Sequence, residues 1–132
     1  MAERTDLETL EEDFSFFKDD LRVIGVLLFG SRVSGDITRG DYDICVVSPK
    51  SKPPVILSEI YRHVDVYSKR YDVYTFEELP LYMKMEVISN HEIIFARDVP
   101  ELYEYFYFTR ILWKEQEIRQ NVSVAEMAGI VG

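Results

Sequence analysis

Apolar residues follow two different spacings along the chain, and each change of spacing marks a new element. Leu7, Leu10, Phe14, Phe17 and Leu21 recur at steps of three and four, the period of one helical face. Thr5-Asp6-Leu7-Glu8 has the spacing of a capping box ahead of them, so a first amphipathic helix with an acidic solvent side is predicted. Val23 to Phe29 is instead a dense aliphatic run, too short for a stable helix, and reads as a buried strand that Gly30 ends. From Ser31 to Gly40 the chain is polar, and Asp41 to Val47 then resumes a strand that stops at Ser48-Pro49. Lys50 to Pro54 is a loop, and Val55 to Val66 carries Ile56, Ile60 and His63 or Val64 at helical spacing, giving a second helix. Arg70 to Phe76 alternates polar and apolar positions with strong β formers, so a further strand follows. Thr75-Phe76-Glu77-Glu78 is read as the cap of a helix running through Leu81, Met85 and Ile88 to Asn90, with a short strand from His91 to Phe95 after it. Asp98-Val99-Pro100-Glu101 opens a last long helix, set at 98–120, with Leu102, Phe106, Leu112 and Trp113 among its apolar positions. Residues 121–132 are left as a tail with freedom to flex. No repeat or linker interrupts the pattern, so one domain over residues 1–132 is expected.

Composition narrows the functions available. Of 132 residues 47% are hydrophobic, with nine Tyr, eight Phe and one Trp, enough apolar material for a core and too much for intrinsic disorder. Lys and Arg total 15 against 24 Asp and Glu, a net charge of −9, and that field repels polyphosphate backbones. Direct nucleic-acid binding is therefore disfavoured, whereas a mononucleotide can still bind where a metal ion neutralises local carboxylates. Cys45, the single cysteine, lies in the apolar run Ile44-Cys45-Val46-Val47 and reads as a buried structural thiol; no intrachain disulfide can form. Met1 to Asp6 lacks the apolar stretch of a signal peptide, and no apolar segment approaches bilayer-spanning length, so a cytoplasmic protein with no membrane partner is expected.

The stretch that carries chemistry runs from Gly30-Ser31-Arg32 to Asp41-Tyr42-Asp43. Glycine at the end of a buried strand lets backbone approach a ligand closely, and the amides of Ser31 and Arg32 with the Ser31 hydroxyl can meet phosphate oxygens. Asp41 and Asp43 lie two apart at the start of a strand, so both side chains take one face with α-carbons roughly 6.5 to 7 Å apart. Two ionised carboxylates beside a core call for a compensating cation, and magnesium is the natural one because it joins carboxylates to substrate phosphates. Asp72 interrupts the hydrophobic strand Tyr71-Asp72-Val73-Tyr74; a sheet that sets it beside Asp41 and Asp43 gathers three carboxylates. Such a set can organise two metals about 3.5 to 4 Å apart for phosphoryl or nucleotidyl transfer. Each feature has a plainer reading. Asp41 can simply follow a turn at Gly40, and Asp72 can be a strand-end residue paired with Arg70 or Lys69. The combination is more informative than its parts, since Gly-Ser followed at this distance by Asp-x-Asp is expected by accident in well under ~1% of chains this size.

With these residues in place the sequence resembles the minimal nucleotidyltransferases of the DNA polymerase beta superfamily. That signature is a strand ending in Gly-Ser, a polar loop, Asp-x-Asp on the next strand and a third Asp on a later one. Gly30-Ser31, Asp41-Tyr42-Asp43 and Asp72 are similar to it, over roughly Val23 to Phe95, although nine residues separate Ser31 from Asp41 where ten are commoner. The resemblance implies an α/β (α+β) nucleotidyltransferase fold, a mixed β-sheet flanked by helices. It also implies ATP as donor, two Mg2+ ions held by Asp41, Asp43 and Asp72, and triphosphate contacts from Gly30, Ser31 and Arg32. Stand-alone members are often paired with a HEPN-domain protein as antitoxin to its toxin. The resemblance therefore implies AMP transfer to a hydroxyl on a partner protein and a hetero-oligomer with that partner.

The alternative reading is a catalytically weak nucleotide-binding antitoxin, a module that neutralises its partner by contact. An antibiotic nucleotidyltransferase is disfavoured because only one long helix follows Phe95. His63 and His91 have no matching ligand partners in sequence and read as packing or surface residues. Tyr103, Tyr105, Phe106, Tyr107 and Phe108 occupy more than one helical face, which leaves two readings open, an aromatic core helix or a partner surface.

Overall fold

In the computed structural model, which describes residues 4–30 and 41–129, strand β1 (Gly25–Phe29) is buried at every position. A strand covered on both faces has no solvent side, so its sequence is continuously apolar rather than alternating. Around it the chain runs through α1 (Arg4–Asp13), a 3-10 turn (Ser15–Phe17), β1, β2 (Tyr42–Val47), α2 (Pro53–His63) and α3 (Val66–Lys69). It continues through β3 (Tyr71–Thr75), a second 3-10 turn (Phe76–Glu78), α4 (Leu81–Ser89), β4 (His91–Ala96) and α5 (Val99–Met127). The four strands form one sheet in the order β3-β2-β1-β4. β1 is antiparallel to both β2 and β4, and β2 is parallel to β3 across the connection that carries α2 and α3. This is the mixed sheet flanked by helices that the sequence implies.

The period-two alternation of the strands sorts their side chains into two cores. On one face Val26, Leu28, Ile44 and Val46 pack with Leu10, Phe14 and Phe17 and with Ile56 and Ile60 of α2. On the other, Leu27, Phe29, Cys45 and Val47 pack with Phe76, with Val87 and Ile88 of α4, and with Leu102 and Phe106 of α5. Each fully buried Leu, Ile or Phe contributes about 1.5–3 kcal/mol of apolar transfer before chain entropy opposes it. Cys45 is fully buried, and that burial pushes its thiol well above its ordinary range.

Several boundaries differ from the sequence reading, and the helix expected over Val55 to Val66 is two, α2 from Pro53 and α3 from Val66. The first helix already includes Arg4, so Thr5 lies inside it, and it ends at Asp13 instead of running to Leu21. The chain then tightens into i→i+3 bonding, with the Phe17 amide donating to the Phe14 carbonyl at 3.1 Å. The tighter turn keeps both phenylalanines inward but leaves Leu21 80% exposed. The helix expected from Thr75 begins only at Leu81, because Pro80 has no N–H to donate and turns Leu79 away from helical backbone. The capping pattern survives as a local turn in which the Thr75 hydroxyl donates to Glu78 Oε1 at 3.1 Å. The last helix includes residues 121–127, which the sequence left to a tail.

The core-helix reading holds for part of the aromatic block. Phe106 is buried, and the Tyr105 hydroxyl donates to Glu77 Oε2 at 3.0 Å. Tyr103, Tyr107 and Phe108 are exposed, as is Leu112. Beyond Thr109 no described residue of α5 is buried. His63 stacks on Phe16 with ring centroids 4.3 Å apart, and His91 packs against Phe106, so both histidines serve packing. Among the described residues no helix is long and apolar enough to cross a membrane.

Candidate active site

The site begins where β1 ends. Gly30 has φ +80°, and a Cβ built there would run into the Asp43 carboxylate, with Asp43 Cγ at 3.1 Å. Only glycine combines that backbone conformation with that approach. Across the sheet Asp43 is paired with Phe29 of β1 on one side and with Asp72 of β3 on the other. Alternation puts Asp43 on the same face as Cys45 and Val47, and Asp72 on the same face as Tyr74. That is the face covered by α4 and α5. The carboxylates therefore stand at the open edge of a closed core.

Their electrostatics follow from that position. The Asp43 carboxyl is held above its ordinary value, first by burial and then by the negative charges of Asp72 and Asp41. The Tyr74 phenol is pushed up by burial and then by Asp43, Asp72 and Asp41, so these four groups share one local field. Asp41 is more exposed and forms an ion pair with Arg70, whose Nε lies 3.2 Å from Asp41 Oδ1. Arg70 has left-handed backbone, φ 61°, and its carbonyl accepts the Tyr42 amide at 2.9 Å. It thus grips the entry to β2 through main chain and side chain together. Asp72 pairs with neither cation that its neighbours in sequence offer, because Arg70 pairs with Asp41 and Lys69 with Asp13 at 2.6 Å.

A cavity of about 470 Å³ opens beside Asp43, bounded by Gly30 at the end of β1, by Tyr74 of β3 and by Met83, Glu86 and Asn90 at α4 and its end. A larger one of about 600 Å³, lined by Arg22, Lys50 and Arg97 with Tyr105 and Phe108, includes none of the three aspartates. The smaller cavity is the one that Asp43 and Gly30 line. Ser31 and Arg32 lie outside the described residues. Among the described residues no three His, Cys, Asp or Glu side chains converge closely enough to hold a metal ion; Asp43 and Asp72 are neighbours while Asp41 leans to Arg70. The donor chemistry nonetheless fits a hard divalent cation, since every candidate ligand is a carboxylate oxygen and the crowding of like charge at Asp43 is what such an ion relieves.

Sequence reading missed Tyr74, Glu86 and Asn90 as neighbours of the site, and it offered Arg70 to Asp72 where the structure pairs it with Asp41. Tyr74 had a signal, being two residues beyond Asp72 on one strand. The α4 residues had none, because their place depends on β4 returning to the edge of β1.

Residues 12–99 match the family described as polymerase beta, nucleotidyltransferase. A protein of Methanocaldococcus jannaschii that carries the provisional name protein adenylyltransferase is 41% identical over 104 residues, 76% of this chain and 79% of that protein. Two solved structures share the fold. One is a toxin-antitoxin structure with AMP-PNP, matched at TM-score 0.66 and 15% identity over 89% of this chain and 98% of that one. The other is a tri-AMPylated HEPN toxin of Shewanella oneidensis in complex with its MNT antitoxin, matched at TM-score 0.65 and 10% identity over 92% of this chain and 98% of that one. With the family match covering the sheet and its carboxylates, and a relative this similar along most of both sequences, the chain belongs to the polymerase beta nucleotidyltransferase family and is a nucleotidyltransferase.

Proposed function

We propose that this protein transfers AMP from ATP to a hydroxyl on a partner protein, a HEPN-domain toxin towards which it acts as antitoxin. The observation that carries this reading is the pairing of Asp43 with Asp72 in adjacent strands, with Gly30 pressed against Asp43. The provisional name of the Methanocaldococcus relative supports protein adenylylation, and the AMPylated toxin bound to the Shewanella antitoxin supports the partner class.

Asp41, Asp43 and Asp72 would hold two Mg2+ ions, and Gly30, Ser31 and Arg32 would receive the triphosphate. When bound, the cations supply charge neutralisation between carboxylates and phosphates and polarise the α-phosphoryl group. The acceptor oxygen forms a bond to the α-phosphorus as the bond to pyrophosphate breaks, and Asp72 assists removal of the acceptor's proton. Its exposed place on β3 suits a group that meets an incoming protein side chain. Asp41 must leave Arg70 to serve, which is an inexpensive step because an exposed ion pair contributes at most about 1 kcal/mol.

The test is to incubate the protein and its copurified partner with α-labelled ATP. Label is expected on the partner when magnesium is present and not when a chelator is added. Partner that stays unlabelled with magnesium present, while the complex still suppresses toxicity, would replace this reading with neutralisation by contact alone.

A further inference from the structure

We infer that the turn between α4 and β4 forms the adenine subsite, with Asn90 and Glu86 reading the base; this rests on the AMP-transfer reading above. The sheet order divides the site into two sides. Asp43 is central, and Asp72 lies outward of it on β3, on the side assigned to the acceptor. Gly30 lies on the other side. β1 and β4 are antiparallel with Phe29 opposite His91, so continuing that register by one residue sets Asn90 beside Gly30. Among the described residues, a nucleotide whose α-phosphate lies at Asp43 has the α4–β4 turn as a wall for its nucleoside.

The chemistry of that wall matches a purine. Met83 and Tyr74 line the cavity and offer a thioether and an aromatic ring, both of which pack well on a flat heteroaromatic surface. The rim is polar, with Glu86, Ser89 and Asn90. Among the described residues none of these three side chains is engaged in a hydrogen bond or ion pair. Asn90 occupies the C-cap position of α4, where asparagine is usually explained by left-handed backbone. Its backbone is extended instead, at φ −148° and ψ 91°, so the cap does not account for the residue and its carboxamide is free to serve a ligand.

A carboxamide both donates and accepts, which suits N7 and the N6 amino group of adenine together; guanine presents an acceptor, O6, where adenine presents that donor. Glu86 only accepts and reinforces the same choice. Its charge turns the triphosphate away from α4 and towards the end of β1. The cavity volume of about 470 Å³ lies within the usual range for small-ligand clefts.

The experiment uses the full protein with magnesium. Affinities for ATP and GTP are measured by calorimetry, and KM and kcat for each nucleotide are measured with the copurified partner as acceptor. Wild type is expected to prefer ATP by about tenfold or more, the size of one good bidentate contact. In Asn90→Ala and Glu86→Gln the preference should fall at least about threefold, with the change falling on KM for ATP more than on kcat. Both side chains are exposed, so neither variant disturbs the core. A wild type that transfers AMP but shows no preference, variants whose ATP-to-GTP ratio is unmoved, or a change confined to the KM of the acceptor would each overturn the base subsite while leaving AMP transfer standing. A wild type that binds neither nucleotide would overturn both.

Discussion

On one face of the sheet Val26, Leu28, Ile44 and Val46 meet α1 and α2, and the packing is closed by Phe14, Phe17, Ile56 and Ile60. On the opposite face Leu27, Phe29, Cys45 and Val47 meet α4 and α5, but the packing stops at Asp43, beside which the cavity opens. The same two strands supply both faces, so a displacement of one residue along β2 moves a side chain from the closed core to the chemical edge. Burial explains the difference in physical terms. The closed face contributes stability alone, whereas the other face holds a carboxylate whose ionised form the fold resists.

The largest expected effect breaks the open face without touching the closed one. Asp43→Asn or Asp41→Asn should lower AMP transfer at least about a thousandfold, roughly 4 kcal/mol of barrier, with circular dichroism unchanged; an active variant would remove that residue from the site. The converse substitution, Phe14→Ala, should lower unfolding stability in urea by about 3 kcal/mol while nucleotide affinity, measured well below the melting point, stays at the wild-type value. A loss of affinity there would mean that the two faces are coupled.

Asp72→Asn sharpens the comparison within the open face. Magnesium-ATP binding should stay within about threefold of wild type while transfer falls at least about a hundredfold, because the group acts on the acceptor in the transition state more than on the bound nucleotide. Smaller still is the effect of pH on the metal-free protein. The folded state raises the Asp43 pKa, so its neutral form is favoured by folding. The stability it allows is present below the ordinary carboxylate range and is lost as pH rises through the raised value. Asp43→Asn should therefore melt slightly higher than wild type at neutral pH and lose that advantage in acid. Added magnesium should raise the melting temperature of wild type alone. Arg70→Gln is expected to change stability by less than about 0.5 kcal/mol, since its ion pair with Asp41 is exposed on both sides.

The strands were legible in the sequence because each is a short apolar run with punctuation at its end, and Gly30 and Ser48-Pro49 are punctuation of that kind. Asp43 and Asp72 were legible as strand carboxylates, which β2 and β3 pair directly, whereas Asp41 lies just ahead of β2 and pairs with Arg70. What escaped depended on local competition or on long-range return. Pro80 overrode the capping signal at Thr75, and the 3-10 turn after Asp13 rephased Leu21 into solvent. Arg70 reads in sequence as a partner for Asp72, and the parallel register of β2 and β3 gives it to Asp41 instead. Asn90 carried no signal at all, since nothing local says that β4 comes back to lie against β1.

That return has a consequence for the order in which the protein is made. Among the described residues β1 is the first strand synthesised and β4 the last, yet they are neighbours in the sheet. At roughly 5–20 residues per second, β1 and β2 leave the ribosome seconds before the residues of β4. Throughout that interval the β1 edge that β4 will cover stays bare, with no α4–β4 turn beside Gly30. If ATP binds as proposed, competence would arrive only with β4, and ATP bound across the seam between β1 and β4 would fasten the sheet where it closes latest.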